Sequence, residues 1–324
     1  MSGPDRIVRG EKMREERTLL LLGAGGFIGS HCAAAAAAAG LRVVAATRAG
    51  TEAAPPFDLL DSAAVAACVE RVRPDLIVNA AGDPSVARSW ERPEAARAIN
   101  ADGVGNLLAA TARLAPSAHL VCLSSAAVYG QPGAEAMPLG EEAPPAPVSP
   151  YGEAKLAMEQ LCREAEAAGE LRIAVVRAFN LVGPGQPPFN AASSLARQIA
   201  EAELAGLKVV ELSLGNPEAA RDLIDVRDGV RVLVRLSSQG ISGTFNLCSG
   251  QAHTVADQAA ALAALTPLEV RTRTDPELAR PSDPPLLLGD PGRLREATGF
   301  VPEIPLERSL ADLLEWWRHQ LGGV

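Results

Sequence analysis

Two side chains that can exchange a proton stand one helical turn apart near the middle of the chain. Tyr151 and Lys155 occupy positions i and i+4, which face the same side of a helix. Ser149 and Pro150 precede them and are typical of an N-cap and a first helical residue. A phenol has a pKa near 10, and a neighbouring ammonium has the right sign to stabilise its phenolate. The pair therefore predicts a tyrosine that transfers a proton to or from a reacting oxygen.

A hydroxyl group that could bind the same oxygen is expected at the end of an apolar run. Residues 120–123 read as a buried strand, and Ser124 and Ser125 follow them. We take Ser125 as the candidate, because a serine hydroxyl can donate a hydrogen bond as charge develops on a substrate oxygen. The predicted catalytic residues are therefore Ser125, Tyr151 and Lys155.

A glycine-rich turn near the start of the chain could bind a dinucleotide. Gly23, Gly26 and Gly29 follow the apolar run 18–22 and precede the alanine run 33–39. This order of strand, turn and helix is required of a turn that lets backbone approach a pyrophosphate at a helix N-terminus. Together with the tyrosine and lysine, the turn predicts transfer of a hydride and a proton.

The end of the second apolar run, 42–46, indicates which dinucleotide is bound. The chain continues with Thr47 and Arg48 and has no acidic residue there. An acid at this place binds the ribose hydroxyls of NAD, whereas an arginine pairs with the 2′-phosphate of NADP. The sequence favours NADP(H), with NAD(H) as the alternative. We expect Asp58 at the adenine edge and Leu59 in the same site.

The alternation of strand-like and helix-like segments predicts an α/β fold with a doubly wound parallel Rossmann sheet and a smaller C-terminal α/β substrate domain. After residue 180 the alternation breaks down, and 244–248 is expected to rejoin the first sheet. The predicted strands are 19–22, 43–46, 76–80, 120–124 and 173–177, and the predicted helices between them are 32–39, 62–71, 94–113 and 152–167.

The expected domain organisation follows from this pattern. Residues 1–16 are charged and are expected to form a flexible N-terminal extension. The NAD(P)-binding domain spans 17–180 and is rejoined by about 222–250. The smaller substrate domain then comprises 181–221 and 251–324.

Composition excludes several classes of function. The 324 residues have a formal net charge of −9, which argues against a general nucleic-acid surface. No apolar run is long enough to span a membrane. The 5 cysteines form no CxxC pair, and the 4 histidines show no ligand spacing. We therefore expect a cytoplasmic protein without a metal site.

From about Leu19 onward the motifs resemble the extended short-chain dehydrogenase/reductase family of NAD-dependent epimerases and dehydratases. The resemblance implies a dinucleotide domain joined to a domain for a nucleotide-diphosphate sugar. It also implies cofactor contacts beyond the glycines and substrate contacts in the later segments. The implied cofactor residues are Phe27, Ile28, Ala80, Ala81, Gly82, Asn100, Tyr151, Lys155 and Phe179. The implied substrate residues are Ser125, Ala126, Asn180, Arg221 and Arg280.

Later segments look like the GDP-4-keto-6-deoxy-D-mannose reductase branch of that family. In this branch the two arginines matching Arg221 and Arg280 would hold the diphosphate, which suits their forked donors. Arg227 is expected to be structural. The matching segments are 177–186, 215–216, 221–228, 246–250, 280–283 and 289–290.

The residues after the serines discriminate between the reactions of the family. Its 4,6-dehydratases place an acidic group there, and its epimerase–reductases place a cysteine, whereas this chain has Ala126 and Ala127. The expected histidine of the epimerase–reductases, just beyond residue 180, is also missing. Ketoreduction at C4 and 4-epimerisation remain. The absence of an acid beside Arg48 favours an NADPH-dependent reductase.

Two alternatives to the reductase, and the identity of the nucleotide, stay open at this point. A 4-epimerase would hold NAD tightly and recycle it, and a protein with a vestigial site would bind cofactor without catalysis. The nucleotide of the substrate could be GDP, dTDP, UDP or CDP. A homodimer is expected, because members of the family that the chain resembles often dimerise.

Overall fold

The computed structural model describes residues 16–278 and 284–322. Its strands are β1 (Thr18–Leu22), β2 (Arg42–Ala46), β3 (Leu76–Asn79), β4 (His119–Ser125), β5 (Arg172–Ala178), β6 (Asn180–Val182), β7 (Val209–Leu214), β8 (Ala220–Asp225), β9 (Gly243–Leu247), β10 (Ala252–Thr254), β11 (Glu269–Thr274) and β12 (Leu286–Leu287). Its α-helices are α1 (Phe27–Ala38), α2 (Ser62–Val72), α3 (Val86–Glu91), α4 (Pro93–Arg97), α5 (Gly103–Leu114), α6 (Pro150–Ala167), α7 (Ala191–Leu204), α8 (Val226–Gln239), α9 (Val255–Ala263), α10 (Gly292–Thr298) and α11 (Leu306–Gly322).

A six-stranded sheet with the order β2-β1-β3-β4-β5-β9 forms the larger part of the fold. Every neighbouring pair in it is parallel. The chain winds outward from β1 to β2 and then continues with β3 on the other side of β1. This change of direction creates a crevice at the carboxyl ends of β1 and β3, where doubly wound sheets bind ligands. The predicted fold class is confirmed, and β9 joins the first sheet as expected.

Helices cover both faces of this sheet, so its strands are predominantly apolar. All residues of β1 are buried, and successive side chains point to opposite faces. Leu20 and Leu22 pack into a core shared with α2, α5 and α6. Leu19 and Leu21 pack into a second core shared with α1 and α8. The carboxyl ends of β1, β3 and β4 are therefore held from both sides.

Helix α1 begins earlier than its alanine run predicts. It starts at Phe27, directly after the glycine turn, and Gly26 is its N-cap. Gly40 follows the end of the helix with a φ of +75°, a conformation that favours glycine. The sequence analysis placed the helix start at residue 32 because alanine is the strongest helix former, and it gave too little weight to the apolar Phe27 and Ile28.

The stretch 94–113 is not the single helix that the sequence predicted. It consists of α4, a π-helical segment (Ala98–Asp102) and α5. Helix α3 precedes it and was not predicted. Asn100 lies within the π-helical segment, a local irregularity that is frequent at functional sites.

Smaller sheets follow the first one along the chain. Strand β8 pairs with β6 and β12 in parallel and with β10 in antiparallel fashion, and β7 pairs with β11. A third core lies between α7, α9 and α11 and includes Leu195, Leu262 and Trp317. Helix α8 was missed by the sequence analysis. The expected division into two domains, with its boundaries, remains a prediction.

A search of the described residues for a helix long and apolar enough to cross a membrane found none.

The close approach of α1 to the end of β1 can be tested with one methyl group. A Cβ atom at Gly29 would lie 2.0 Å from the carbonyl oxygen of Gly23. We expect Gly29→Ala to lower the free energy of unfolding by about 1–3 kcal/mol, although alanine is the better helix former. Urea denaturation measures the effect. Gly25→Ala is the matched control, because a Cβ there has no neighbour within 4 Å. Equal stability of the two variants would contradict the packing argument.

Candidate active site

The glycine turn is shaped by close contact with the end of β3. Gly23 has a φ of +77°, and a Cβ on it would lie 2.7 Å from the backbone of Ala80 and Ala81. The N–H group of Gly26 donates to the carbonyl of Gly23 at 3.0 Å and closes the turn. These contacts fix the turn above the crevice between β1 and β3.

The start of α1 fits the pyrophosphate of a dinucleotide. Gly26 has no side chain that could accept hydrogen bonds from the first N–H groups of the helix, at Phe27 and Ile28. A Cβ on the exposed Gly25 would meet nothing, so the space above the turn is open. Free N–H groups at a helix N-terminus together with open space form an anion site.

A loop that the sequence did not assign to the site lies against the first turn of α1. The ring of His31 stacks edge-on against Phe27, and its Nε2 lies 2.8 Å from the carbonyl oxygen of Pro184. Since a carbonyl only accepts, the imidazole donates here. Gly185 approaches the Phe27 ring. Nothing in the spacing of these residues along the chain indicated this contact.

Arg48 follows the end of β2. This strand is the neighbour of β1, which leads into the glycine turn. Leu22 and Ala46 are paired at the ends of β1 and β2, and the exposed Arg48 follows two residues later. Asp58 is also exposed and accepts a hydrogen bond from its own loop. Leu59 is buried and packs on Gly103 at the start of α5.

Gly82 and Asn100 meet beside the end of β3. A Cβ on Gly82 would lie 2.5 Å from the Asn100 side-chain oxygen and 3.7 Å from the Lys155 nitrogen. The Asn100 amide donates to the carbonyls of Asp83 and Ala96. Its buried Oδ1 has no hydrogen-bond partner. A buried acceptor left open at this place suits a site that is completed by a bound group.

The predicted cap positions the tyrosine and lysine as expected. The Ser149 hydroxyl accepts from the N–H group of Gly152 at 3.1 Å, and Pro150 is the first residue of α6. Tyr151 and Lys155 are both nine-tenths buried or more, at 8% and 7% exposed. The Lys155 ammonium lies 5.8 Å from the centre of the Tyr151 ring.

Of the two serines, Ser125 faces the tyrosine. Its side chain hydrogen-bonds that of Tyr151 and accepts from the N–H group of Ala127 at 3.2 Å. Ser124 points the other way and donates to Glu159 at 2.6 Å. Successive residues of a strand point to opposite faces, which separates the two hydroxyls. The three predicted catalytic residues thus converge at the carboxyl end of β4.

The pKa of Tyr151 is raised, whereas the sequence predicts that the neighbouring ammonium stabilises the phenolate. Burial raises the pKa of Tyr151, and the carboxylate of Asp83 raises it further, although the hydrogen bond from Ser125 lowers it. Burial also lowers the pKa of Lys155 to about 8. The side chains of the protein alone therefore do not lower the pKa of the phenol, because burial disfavours its charged form.

The expected substrate residues lie at the edge of this site and in the following sheet. Asn180 is exposed at the start of β6, and Arg221 is half-buried in β8, where it donates to the carbonyl of Ala220. Ala126 is buried at the start of the 3₁₀-helical turn that follows β4, and Phe179, an expected cofactor residue, is buried against Tyr129. Arg280 lies outside the described residues.

Arg227 has the structural role that the sequence predicted. Its guanidinium bonds both carboxylate oxygens of Asp225 and also Asp312 of α11. These contacts tie β8 and α8 to the C-terminal helix.

Three residues near the site were missed by the sequence analysis. Asp83 follows Gly82 and is salt-bridged to Arg88 at 2.7 Å. Glu159 bonds Ser124, and the Tyr129 hydroxyl donates to Asn246 at 2.7 Å. Of these three residues, the sequence could have indicated only Glu159, because it lies one turn beyond Lys155 on the same helix.

No cluster of metal-ligating side chains was found among residues 16–278 and 284–322. All five cysteines are buried and unpaired as disulfides. Burial raises the pKa of the Cys32 thiol to about 12, as expected for an inert core cysteine.

Comparison with known proteins identifies a family that this chain matches. Residues 19–248 match the NAD dependent epimerase/dehydratase family. The chain is 34% identical over 249 residues to the GDP-6-deoxy-D-mannose reductase of Pseudomonas aeruginosa, covering 76% of this chain and 82% of the relative. It is 32% identical to the UDP-glucose 4-epimerase of Azospirillum brasilense, covering 93% and 92%.

A solved structure agrees over nearly the whole fold. The protein called RMD from P. aeruginosa, complexed with NADPH, superposes with a TM-score of 0.85 at 32% identity, covering 94% of this chain and 99% of that one. The family match covers more than half of the chain, and the motifs stand in family order. The chain therefore belongs to the NAD-dependent epimerase/dehydratase family, the extended short-chain dehydrogenase/reductases that its motifs resemble.

Proposed function

We propose that the protein reduces the C4 ketone of a nucleotide-linked 4-keto-6-deoxyhexose, such as a GDP- or dTDP-sugar, with NADPH. The observation that supports this most is the convergence of Ser125, Tyr151 and Lys155 beside a turn that fits a dinucleotide. The 34% identity to a GDP-6-deoxy-D-mannose reductase supports the same class of reaction.

The chain offers a continuous set of residues for the cofactor. The glycine turn and the first N–H groups of α1 would hold the pyrophosphate, and Asn100 would complete the site beside Lys155. When bound, the dinucleotide supplies the hydride for C4. The proposed cofactor residues are Gly23, Gly26, Phe27, Ile28, Gly29, Arg48, Asp58, Leu59, Ala80, Ala81, Gly82, Asn100, Tyr151, Lys155 and Phe179.

Tyr151 is the proposed proton donor to the sugar oxygen. The raised pKa of Tyr151 keeps the phenol protonated at neutral pH, as a donor in the reductive direction requires. Ser125 would hydrogen-bond the same oxygen as negative charge develops on it. The Lys155 ammonium would stabilise the phenolate that remains after proton transfer.

Substrate binding is proposed for residues beyond the sheet. Arg221 would pair with the diphosphate, together with Arg280, because a guanidinium can donate two parallel hydrogen bonds to a phosphate. Asn180 and Ala126 would line the sugar beside Ser125. The exposed position of Asn180 leaves its amide available for such a contact.

The residues after the serines support a reaction without further proton transfer. Ala126 and Ala127 follow Ser125 in a turn of 3₁₀-helix. Neither can remove a proton, as dehydration across C5 and C6 or epimerisation at C3 and C5 would require. Hydride transfer at C4 needs only the one proton that Tyr151 can donate.

A 4-epimerase is the second candidate, because the same three residues would serve it. The relative from A. brasilense is a UDP-glucose 4-epimerase and matches over 93% of the chain. An epimerase would retain NAD and produce no net oxidation. The exposed Arg48 at the end of β2 favours NADPH and hence the reductase. A non-catalytic cofactor-binding protein is a remote third candidate. A homodimer and a cytoplasmic location remain predictions.

The first test is the loss of NADPH absorbance with GDP-4-keto-6-deoxymannose and dTDP-4-keto-6-deoxyglucose in parallel. Turnover is expected with one of them, and Tyr151→Phe should reduce it about 100- to 10,000-fold because the proton donor is lost. NADPH binding, followed by fluorescence, should remain. Wild-type turnover in the variant would refute the assignment. No turnover by the wild type, with NAD released on denaturation, would favour the epimerase.

The choice of cofactor can be tested at Arg48. Arg48→Ala should raise the KM for NADPH about 10- to 100-fold through loss of a charge-assisted hydrogen bond, and leave the KM for NADH unchanged. Arg42→Ala is the matched control, since Arg42 begins the same strand and its guanidinium bonds Thr18. An equal effect on both cofactors would show that Arg48 does not read the 2′-phosphate.

The rate of reduction should decline at alkaline pH as Lys155 loses its proton. The pKa of Lys155 is about 8, so the ammonium is present below that pH and is lost above it. A profile of kcat/KM against pH should therefore show an alkaline limb near 8. A limb only above pH 10 would instead report Tyr151, whose pKa is raised.

A further inference from the structure

Three consecutive residues at the end of β4 are bonded to three successive turns of α6. The Lys155 ammonium donates to the Leu123 carbonyl at 2.9 Å, and Ser124 donates to Glu159 at 2.6 Å. The third contact is the hydrogen bond between the side chains of Ser125 and Tyr151. The helix can neither slide nor rotate along the strand without breaking at least one of these bonds. The three pairs are Leu123 with Lys155, Ser124 with Glu159, and Ser125 with Tyr151.

Glu159 is a buried carboxylate with a buried partner. Its side chain is 1% exposed, and Arg177 of β5, at 3% exposed, donates to both of its oxygens. Breaking a buried pair of this kind costs far more than breaking a surface pair, because an uncompensated charge is left inside. The pair therefore holds Glu159 in the one orientation that also accepts from Ser124.

Arg177 extends the same network to the far edge of the sheet. Its Nη1 atom donates to the Tyr129 hydroxyl and to the carbonyl of Glu141, both at 3.0 Å. Tyr129 in turn donates to Asn246 of β9 at 2.7 Å. Strands β4, β5 and β9 are thus joined to α6 by one network of buried polar side chains.

We propose that Glu159, acting with Ser124, is a positioning residue for the reaction. It would hold α6 in register against β4 and place a negative charge one helical turn from the ammonium of Lys155. This inference rests on the proposed function, in which Ser125, Tyr151 and Lys155 act on the substrate. Glu159 itself touches none of the reacting atoms.

The charge of Glu159 matters because Lys155 is buried. Burial lowers the pKa of Lys155 to about 8, while Cys122, Cys162 and Glu159 oppose that change. Of these three, Glu159 is the carboxylate, whereas the hydrogen bond with Cys122 and then burial raise the pKa of the Cys162 thiol. The groups that face Lys155 are Cys122 on β4, Tyr151, Glu159 and Cys162 on α6, and Gly82 with the neighbouring Asp83 after β3.

The test uses two variants of the full chain that remove different parts of the contact. Glu159→Gln keeps the shape and removes the charge. Ser124→Ala keeps the ion pair with Arg177 and removes the bond between strand and helix. The chain has three lysines, Lys12, Lys155 and Lys208, so selective carbon-13 labelling of lysine gives few NMR signals to assign. The pKa of Lys155 is then measured without substrate or cofactor.

Glu159→Gln is expected to lower the pKa of Lys155 by about 1, because a nearby opposite charge is lost. The alkaline limb of kcat/KM should move to lower pH by the same amount. Ser124→Ala should leave the pKa of Lys155 unchanged and reduce kcat on the order of 10-fold, since loosened geometry costs rate. NADPH affinity should be retained in Ser124→Ala.

Two controls separate positioning from loss of stability. Asp228→Asn removes the charge of another buried carboxylate, which lies away from the site. This carboxylate accepts hydrogen bonds from the backbone N–H groups of Glu303 and Ile304. Thr111→Val removes a buried hydroxyl that bonds only within α5. Both should lower stability and leave the Lys155 pKa and the pH profile as in the wild type.

An unchanged Lys155 pKa in Glu159→Gln, together with unchanged kcat in Ser124→Ala, would overturn the proposal. If Glu159→Gln does not fold, Ser124→Ala alone tests the proposal. A lower kcat with wild-type NADPH affinity then supports it, and an unchanged kcat overturns it. A wild type that turns over neither keto sugar would refute the proposed function, whereas the NMR titration would still test the coupling between Glu159 and Lys155.

Discussion

The hydrogen bond from the buried ammonium of Lys155 to the carbonyl of Leu123 is the contact on which the site depends. It joins α6 to the end of β4, and that junction brings Tyr151 beside Ser125. Strand β4 lies within the six-stranded sheet and is buried along nearly its whole length, with a core on each face. The helix that bears the phenol is therefore held by a strand that is itself enclosed.

This arrangement is unfavourable for stability and is tolerated because Lys155 donates to the Leu123 carbonyl and Glu159 is paired with Arg177. Lowering the pKa of Lys155 from 10.5 to about 8 corresponds to about 3 kcal/mol against the charged form. The ion pair of Glu159 and Arg177 adds two more desolvated charges, whose attraction does little better than offset their burial. An apolar core would be at least as stable, so selection for function explains these residues better than selection for stability does.

The sequence predicted what depends on local spacing and missed what depends on contacts between distant segments. The cap before α6, the common face of Tyr151 and Lys155 and the parallel strands all follow from neighbouring residues. The partnership of Glu159 with Arg177 joins positions far apart in the chain, and no pattern within either segment indicates it. The π-helical turn around Asn100 was missed because its residues favour an ordinary helix. The raised pKa of Tyr151 follows from burial, which spacing does not reveal.

The second half of the fold is held together by contacts that are separate from the pairs between β4 and α6. The buried carboxylate of Asp222 accepts hydrogen bonds from the backbone N–H groups of Ser249, Gly250 and Gly289, and so holds two loops, 249–250 and the one at Gly289, beside Arg221. Neither of these loops contributes to the pairs between β4 and α6. Side chains on these loops can therefore change without breaking the contacts that hold Tyr151 beside Ser125. The relatives of this chain include a GDP-6-deoxy-D-mannose reductase and a UDP-glucose 4-epimerase, so one fold carries different reactions on different nucleotide sugars.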